Sequence, residues 1–425
     1  MGTVTETVRE LSLRYTRVEN LMRYVNIDTL KEAHQKQDSR KATGVDRVTK
    51  AEYGENLDEN LANLYHRMRQ FQYRPQMVRR VEIPKAGKPG KFRPLGIPAY
   101  EDRLVQRPMA DVLIGVYEPR FLDCSYGFRP GRSCHDVVKI INNTVMFKPV
   151  NFILEADIKG FFDNVNHEWL LKFLEHDIAD ANFIRYIARF LKAGVMKEAE
   201  VILKRSEKGT PQGGLISPTL ANVYLHYVLD RWAKEFIPPR MSGYVEYVRY
   251  ADDFIFMFQY EEDANRVMEA LPKRLGKFDL ELAMEKTRIF PFGRNDRDKN
   301  RFDFLGFTFY EGKTRAGKYR VGIKTSEKKL KTKRADLKQW LKKHMHDRPD
   351  MVMKSLNRKL AGHCNYYGVN GNFSSLKKFF SYAKRCVHFI LNRRSQRKSV
   401  TWEKVQDIWD QYIRPPRICV QIWGR

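Results

Sequence analysis

Two adjacent aspartates, Asp252 and Asp253, stand between an alternating run at 244–250 and an apolar run at 254–258. That pattern predicts a hairpin with both carboxylates at its turn. Asp is a common turn residue, so an isolated pair of this kind would by itself be a solvated tip. A third carboxylate, Asp157, lies 95 residues upstream, ending an apolar strand predicted over 152–158, and an acid in that position calls for an explanation. Carboxylates crowded together repel one another. A hard divalent cation such as Mg²⁺ reverses the electrostatics, because it takes oxygen ligands and needs only one or two carboxylates plus substrate phosphates. A strand-end Asp beside a hairpin bearing two more would let two metals be bridged about 3.5–4 Å apart, one activating a nucleophilic oxygen and one stabilising the leaving oxygen. Nucleotidyl transfer needs that arrangement. Asp163, six residues past Asp157 and beyond Phe161 and Phe162, is expected to cap a helix starting near Asn164 instead.

The elements that must position these groups mix both periodicities. Short strands are predicted at 78–83, 152–158, 245–250, 254–258 and 304–309, separated by helical segments, which makes the core α+β. Residues 1–80 read mostly helical, as in Leu57, Leu61, Leu64 and Met68, with a polar loop at 39–46 around Gly44. Leu376, Phe380, Ala383, Val387 and Ile390 define an amphipathic helix with Asn372 or Ser374 as N-cap. With helices through Leu330, Leu337 and Leu341 and through Met353, Leu356 and Leu360 it forms a bundle over 326–394. Thr401 is expected to cap a last helix, and Pro108 to lie near a helix start.

Composition narrows the function classes. The chain has 425 residues, 42% hydrophobic and 30% charged, enough for several cores and unlike collagen or low-complexity disorder. Five cysteines form no C-x-x-C pair, so neither a disulfide framework nor a cysteine zinc site is indicated, and a reducing, cytoplasmic setting is expected. No stretch approaches the roughly 18 apolar residues of a membrane span, and the N-terminus lacks the apolar core of a signal peptide. Lys and Arg outnumber Asp and Glu by 78 to 51, a net charge of +27 that points to a polyanion partner. The excess is uneven: residues 311–425 carry 29 basic and 8 acidic side chains, net +21, leaving +6 for the rest. Nucleic acid is the leading candidate.

At this point several blocks together carry a resemblance. Tyr250-Ala-Asp-Asp253 resembles the catalytic hairpin of reverse transcriptases, and Asp157-Ile-Lys-Gly-Phe-Phe-Asp163 their first catalytic strand. Arg80-Val-Glu-Ile-Pro-Lys85, Arg93-Pro-Leu-Gly-Ile-Pro98, Tyr126-Gly-Phe-Arg-Pro-Gly-Arg132 and Gly209-Thr-Pro-Gln-Gly-Gly-Leu-Ile-Ser-Pro218 follow in the order of the group II intron-encoded branch. A lone Y-A-D-D is weak evidence; this ordered set is not.

The resemblance implies a right-hand polymerase with an antiparallel palm sheet, fingers of helices and strands, and a basic helical-bundle thumb. It divides the chain into an N-terminal extension at 1–78 with a template-covering loop, fingers and palm at 79–310, a thumb or maturase domain at 311–394 and a basic nucleic-acid-binding tail at 395–425. Asp157 and Asp252 would be the principal ligands of two Mg²⁺ ions, with Mn²⁺ as a substitute, Asp253 the auxiliary ligand and the Ile158 backbone a further one. Lys85 and Arg93 would cradle the incoming triphosphate, though the loop at 86–91 looks longer than in relatives and Lys88 or Lys91 could take the place of Lys85. Phe162 would be the steric gate against a 2′-hydroxyl, with one of Phe161 and Phe162 buried and the other exposed by strand alternation. Gln212 and Gly213 would pack beneath template and nucleotide, and Tyr250 would sit beside the primer end. Gly306, in the Phe304-Leu-Gly-Phe307 block, would belong to the primer grip. Lys286 would stand near the leaving pyrophosphate as a general acid; a solvated lysine fits the pattern too.

The implied partners are an RNA template, in particular group II intron RNA, a DNA or RNA primer, dNTPs and target DNA. The expected setting is a bacterial cytosol or an organelle matrix. No zinc spacing of an appended H-N-H endonuclease is present, so target cleavage in cis is not expected. Two alternatives share the motifs: a domesticated relative serving defence, CRISPR spacer acquisition or repair, and a splicing-only RNA-binding maturase.

Overall fold

A computed structural model describes residues 2–84, 90, 92–197, 208–209, 213–294, 300–314, 316–394 and 400–423. The chain forms two compact units, and neither is continuous in sequence. The first comprises 1–84, 90–133 and 153–289; the second comprises 85–89, 134–152 and 290–425.

The first unit begins with α1 (Val4–Arg14), α2 (Ile27–Gln35), α3 (Lys50–Glu55) and α4 (Leu57–Arg69). Capping boxes at Thr3, Asn26 and Thr49 fix three of these starts, each side chain accepting from the N3 amide while the N3 side chain accepts from the cap. Strands β1 (Val78–Pro84) and β2 (Phe92–Ile97) pair antiparallel and lead into α5 (Tyr100–Tyr117). The position of Pro108 differs from the helix start expected for it. Pro108 lies in the middle of α5, where it removes one helical hydrogen bond. Most of α5 is buried, and packing on both sides outweighs the local penalty of about 3 kcal/mol.

In the second unit α6 (Cys134–Phe147) packs on a three-stranded sheet described below. The chain returns to the first unit with β3 (Phe152–Asp157), α7 (Phe161–Asn164), α8 (His167–Asp177), α9 (Ala181–Leu191) and β4 (Val195–Lys197), which joins β1 in parallel. The residues Phe161–Asn164 are helical, so strand alternation does not govern the two phenylalanines. The helix at His167 is capped by Asn166, not by Asp163, which belongs to the preceding turn. Next come α10 (Ser217–Leu225), two π-type turns at His226–Asp230 and Trp232–Phe236, β5 (Val245–Tyr250), β6 (Asp253–Phe258), α11 (Glu261–Gly276) and β7 (Arg288–Pro291). The central sheet runs β5-β6-β3-β7, with β5 and β6 antiparallel. Phe254, Ile255, Phe256, Met257 and Phe258 are all buried: β6 is enclosed on both faces, which explains its unbroken apolar run.

The second unit continues with β8 (Arg301–Phe304), β9 (Phe307–Lys313) and β10 (Tyr319–Thr325), an antiparallel sheet in the order β10-β9-β8. The strand predicted over 304–309 is in fact two strands. Leu305 and Gly306 both take positive φ, 48° and 80°, and turn the chain between them. Four helices follow: α12 (Glu327–Lys343), α13 (Pro349–Tyr367), α14 (Phe373–Arg393) and α15 (Trp402–Tyr412). Leu337, Leu341, Leu356, Leu360, Phe380, Ala383, Val387, Val405 and Trp409 share one core. Thr401 caps α15 as expected, its side chain accepting from Lys404 N. Asn372 precedes α14 without capping it; its buried amide instead bonds Thr325 Oγ1 and N and the Tyr367 carbonyl, at 2.8 Å each. Among the described residues no helix is long and apolar enough to cross a membrane.

Candidate active site

Tyr250 pairs with Asp253 across the β5-β6 hairpin, so Ala251 and Asp252 are the whole loop. Two-residue hairpins need a left-handed residue at the first loop position. Ala251 supplies it at φ 57°, a conformation that glycine would adopt more easily. The surroundings hold it there. A Cβ on Gly127 would lie 2.3 Å from Ala251 N, so only glycine permits this approach. Tyr126 N donates to Arg249 O at 2.9 Å and Arg249 N to Cys124 O at 2.8 Å, which lays the 124–127 segment along the end of β5.

Beneath the loop lies a buried polar network that the sequence reading missed. Arg249 and Asp230 are both fully buried and joined by two bonds, Nε to Oδ1 at 2.7 Å and Nη2 to Oδ2 at 2.6 Å. The remaining guanidinium hydrogens go to Ser125 Oγ at 2.7 Å, Asn222 Oδ1 at 3.0 Å and Ala251 O at 2.8 Å. Asn222 in turn donates to Gly127 O at 2.7 Å, and Tyr247 OH to Asp230 Oδ1 at 3.0 Å. The ion pair with Asp230 raises Arg249 above its ordinary value against the opposing effect of burial. One signal was available: Val245, Tyr247 and Arg249 share a strand face, and an arginine on an apolar face needs a partner.

Because β3 lies next to β6 in the sheet, Asp157 emerges beside this hairpin. Burial raises Asp252 above the ordinary carboxylate value, and the charge of Asp157 adds to that while Arg93 and Lys286 oppose it. Burial, then the charges of Asp252 and Asp157, push Asp253 up to about 7. The segment at 281–286 is tied to the end of β3 by Lys159 N to Glu281 O at 2.9 Å and Ala283 N to Asp157 O at 2.8 Å. That tie delivers Lys286, whose Nζ donates to Asp157 Oδ2 and whose own value is raised by that bond. Ile158 faces Leu282 in this bridge, and its carbonyl takes no part in either of these two hydrogen bonds.

The other predicted residues fall as follows. Phe161 is buried and Phe162 half-buried, rings 5.3 Å apart. Gly209 backs onto Asp163 and Phe162: a Cβ there would stand 3.1 Å from Asp163 O. Gly213, at φ +121°, lies against β2, where a Cβ would come within 2.1 Å of Gly96 O. The glycine block therefore touches both the Phe162 turn and β2. Gly306 belongs to the second unit, where a Cβ would meet Tyr367 OH at 3.0 Å. Lys85 and Gln212, like Lys88 and Lys91, lie outside the described residues. No group of three or more His, Cys, Asp or Glu among the described residues is arranged to hold a metal ion by itself.

A family model described as reverse transcriptase (RNA-dependent DNA polymerase) matches residues 83–309, a span that contains the hairpin, Asp157, Arg93 and Lys286. The group II intron-encoded protein LtrA of Lactococcus lactis subsp. cremoris is 30% identical over 434 aligned residues, covering 82% of this chain and 70% of that protein. The chain is a group II intron-encoded reverse transcriptase. Protein YkfC of Escherichia coli is 31% identical to this reverse transcriptase over 330 residues, covering 69% of it and 82% of YkfC. A telomerase structure from Candida tropicalis matches at a TM-score of 0.43 and 14% identity, over 64% of this chain and 61% of that one. The reverse transcriptase is an RNA-directed DNA polymerase of the branch whose members also act as maturases, and it binds an RNA template. Reverse transcriptases generally use divalent metals.

Proposed function

We propose that this reverse transcriptase copies RNA into DNA with Mg²⁺ bound between Asp157 and Asp252, Asp253 and the Ile158 carbonyl assisting. The observation that carries this reading is the convergence of three carboxylates, in which the charge of Asp157 adds to the rise of Asp252 and the charges of Asp252 and Asp157 add to that of Asp253. A divalent cation relieves that repulsion, and one or two carboxylates suffice when substrate phosphates complete the shell. When bound, the metal supplies activation of the primer hydroxyl and charge neutralisation at the phosphates.

The protein's own groups have separate tasks. Arg93, whose charge reaches Asp252, and Lys85 hold the triphosphate of the incoming dNTP. Phe162 serves as the gate against a 2′-hydroxyl, Gln212 and Gly213 support template and nucleotide, Tyr250 serves the primer end and Gly306 the primer grip. Lys286 releases Asp157 and turns its ammonium toward the leaving pyrophosphate as proton donor. We assign the N-terminal extension, the fingers and palm, the thumb and the tail the boundaries 1–78, 79–310, 311–394 and 395–425. The RNA is group II intron RNA, which the protein also folds as a maturase, with a DNA or RNA primer and a target DNA for retrohoming. The similarity to LtrA favours this reading over a domesticated role.

Primer extension on an RNA template with dNTPs and Mg²⁺, comparing the native chain with Asp252→Ala, tests the assignment. Synthesis should vanish in the variant while RNA binding and intron splicing persist. Synthesis that survives in a folded Asp252→Ala protein would overturn the metal site. A native protein that binds RNA and promotes splicing but makes no DNA would favour the splicing-only maturase.

A further inference from the structure

The second unit contains a cleft where the helical bundle assigned to the thumb meets the helix of the tail. Five cations, Arg334 of α12 and Lys377, Lys378, Lys384 and Arg385 of α14, line a cleft of about 450 Å³ together with Trp402, the first residue of α15. Its size falls within the range of roughly 300–1,000 Å³ common for bound small molecules. The four α14 cations recur at i, i+1, i+7 and i+8, so they share one face, opposite Leu376, Ala383 and Val387 in the core. Among the described residues none of the five is within ion-pair distance of a carboxylate. Their concentration on one face sets up a positive field that attracts a polyanion.

Trp402 gives the cleft a second character. The indole is 51% exposed although it is a large aromatic, and one ring contact fixes it: His388 stacks on it at 4.0 Å and 11°. Lys384 Nζ bonds Gln406 Oε1, which joins α14 to α15 beside the indole, and the Arg334 guanidinium rests over the Tyr382 ring at 5.3 Å. An anchored aromatic ring beside fixed cations is the chemistry that binds an unstacked base together with its flanking phosphates. A paired base within a helix offers no face to such a ring.

We propose that this cleft binds single-stranded nucleic acid, one unpaired base stacking on Trp402 while the α14 cations and Arg334 hold the phosphates on either side. This rests on the reading that the protein binds RNA through its thumb and tail, and it names the strand type and the stacking residue of that face. The base and phosphate chemistry is common to RNA and DNA strands, and the test distinguishes them.

The full-length protein is first saturated with primer and template, then titrated with a labelled ten-nucleotide RNA, the same sequence as DNA, or a blunt RNA duplex, by fluorescence anisotropy. One or both single strands should bind more tightly than the duplex, and the tighter one names the source. Trp402→Ala should weaken single-strand binding by about 5- to 150-fold, the equivalent of the roughly 1–3 kcal/mol that stacking contributes. Trp402→Phe should restore most of it, and Trp402→Ala should leave duplex binding within twofold of native. Lys378→Glu with Arg385→Glu should weaken binding and flatten its salt dependence. Trp402→Ala binding within twofold of native, or weakened equally for duplex and single strand, overturns the proposal. A native protein that extends the primer yet binds no second strand overturns this site alone; one that neither extends nor binds RNA overturns the polymerase reading with it.

Discussion

At Asp157 one carboxylate oxygen is held by an ammonium group, and this bond is the closest thing in the site to a counter-ion. Lys286→Ala should lower kcat for nucleotide addition by about 10²-fold or more, the usual scale of a lost proton donor, with the KM for dNTP nearly unchanged. A steady-state comparison reads both; a rise in KM alone would make Lys286 a binding residue instead. Deeper in, the Arg249 and Asp230 pair has no exposure at all. Arg249→Ala or Asp230→Ala should each destabilise the protein by about 3–5 kcal/mol, because each strands a buried charge. Asp230→Leu combined with Arg249→Met should cost less than either, since no charge is then left unpaired. Urea unfolding of the three variants measures this, and primer extension by the double variant reports whether the loop at Ala251 still holds Asp252 in place. Asp252 and Asp253 were legible because a hairpin and an apolar strand frame them. The pair beneath them was not, because its partners are 19 positions apart and meet through a π-type turn that local pattern does not foretell.

Elements were readable where local preference and burial agree. The β5-β6 hairpin lies within a residue of its expected bounds and α4 carries Leu57, Leu61, Leu64 and Met68 as expected, since alternation and helical spacing each suit the faces they bury. They were misread where tertiary contacts override the local signal. Pro108 persists inside α5 because the helix is enclosed, and 304–309 breaks in two because Gly306 can turn where an apolar run suggested continuity. Within the helical bundle, His363 of α13 is buried, stacked on Phe379 at 4.1 Å, and its Nε2 has no hydrogen-bond partner among the described residues. Burial, then the nearby Lys333, lowers it to about 4 from an ordinary 6.5. The unfolded chain therefore takes up a proton between those values that the folded chain refuses, and stability falls as pH drops from about 6.5 to about 4. His363→Phe should lose less stability over that interval than the native protein. Urea midpoints at pH 7 and pH 4.5 for both proteins check this; parallel losses would refute it.

For the molecule as a whole the main legible quantity was charge. A net of +21 within residues 311–425 implies RNA binding dominated by phosphate contacts, so log affinity should fall linearly and steeply with log salt concentration. Filter binding from low to physiological salt tests it, and a flat response would remove the electrostatic account. Composition gave no hint of how the two units share the chain. The helix α6 leaves the first unit, joins the second and hands the chain back at β3. Its partners come from far downstream: His135 Nε2 meets Tyr366 O at 2.7 Å, and the His135 ring lies 6.4 Å from that of Phe307. During synthesis on the ribosome, Val137, Val138, Ile141 and Val145 of α6 emerge well before residues 290–425 exist to bury them. At roughly 5–20 residues per second that wait is on the order of ten seconds. A nascent chain paused in this interval presents an apolar helix to the cell, so the yield of folded enzyme should depend on chaperones that shelter it, and any truncation after the first unit should aggregate through α6.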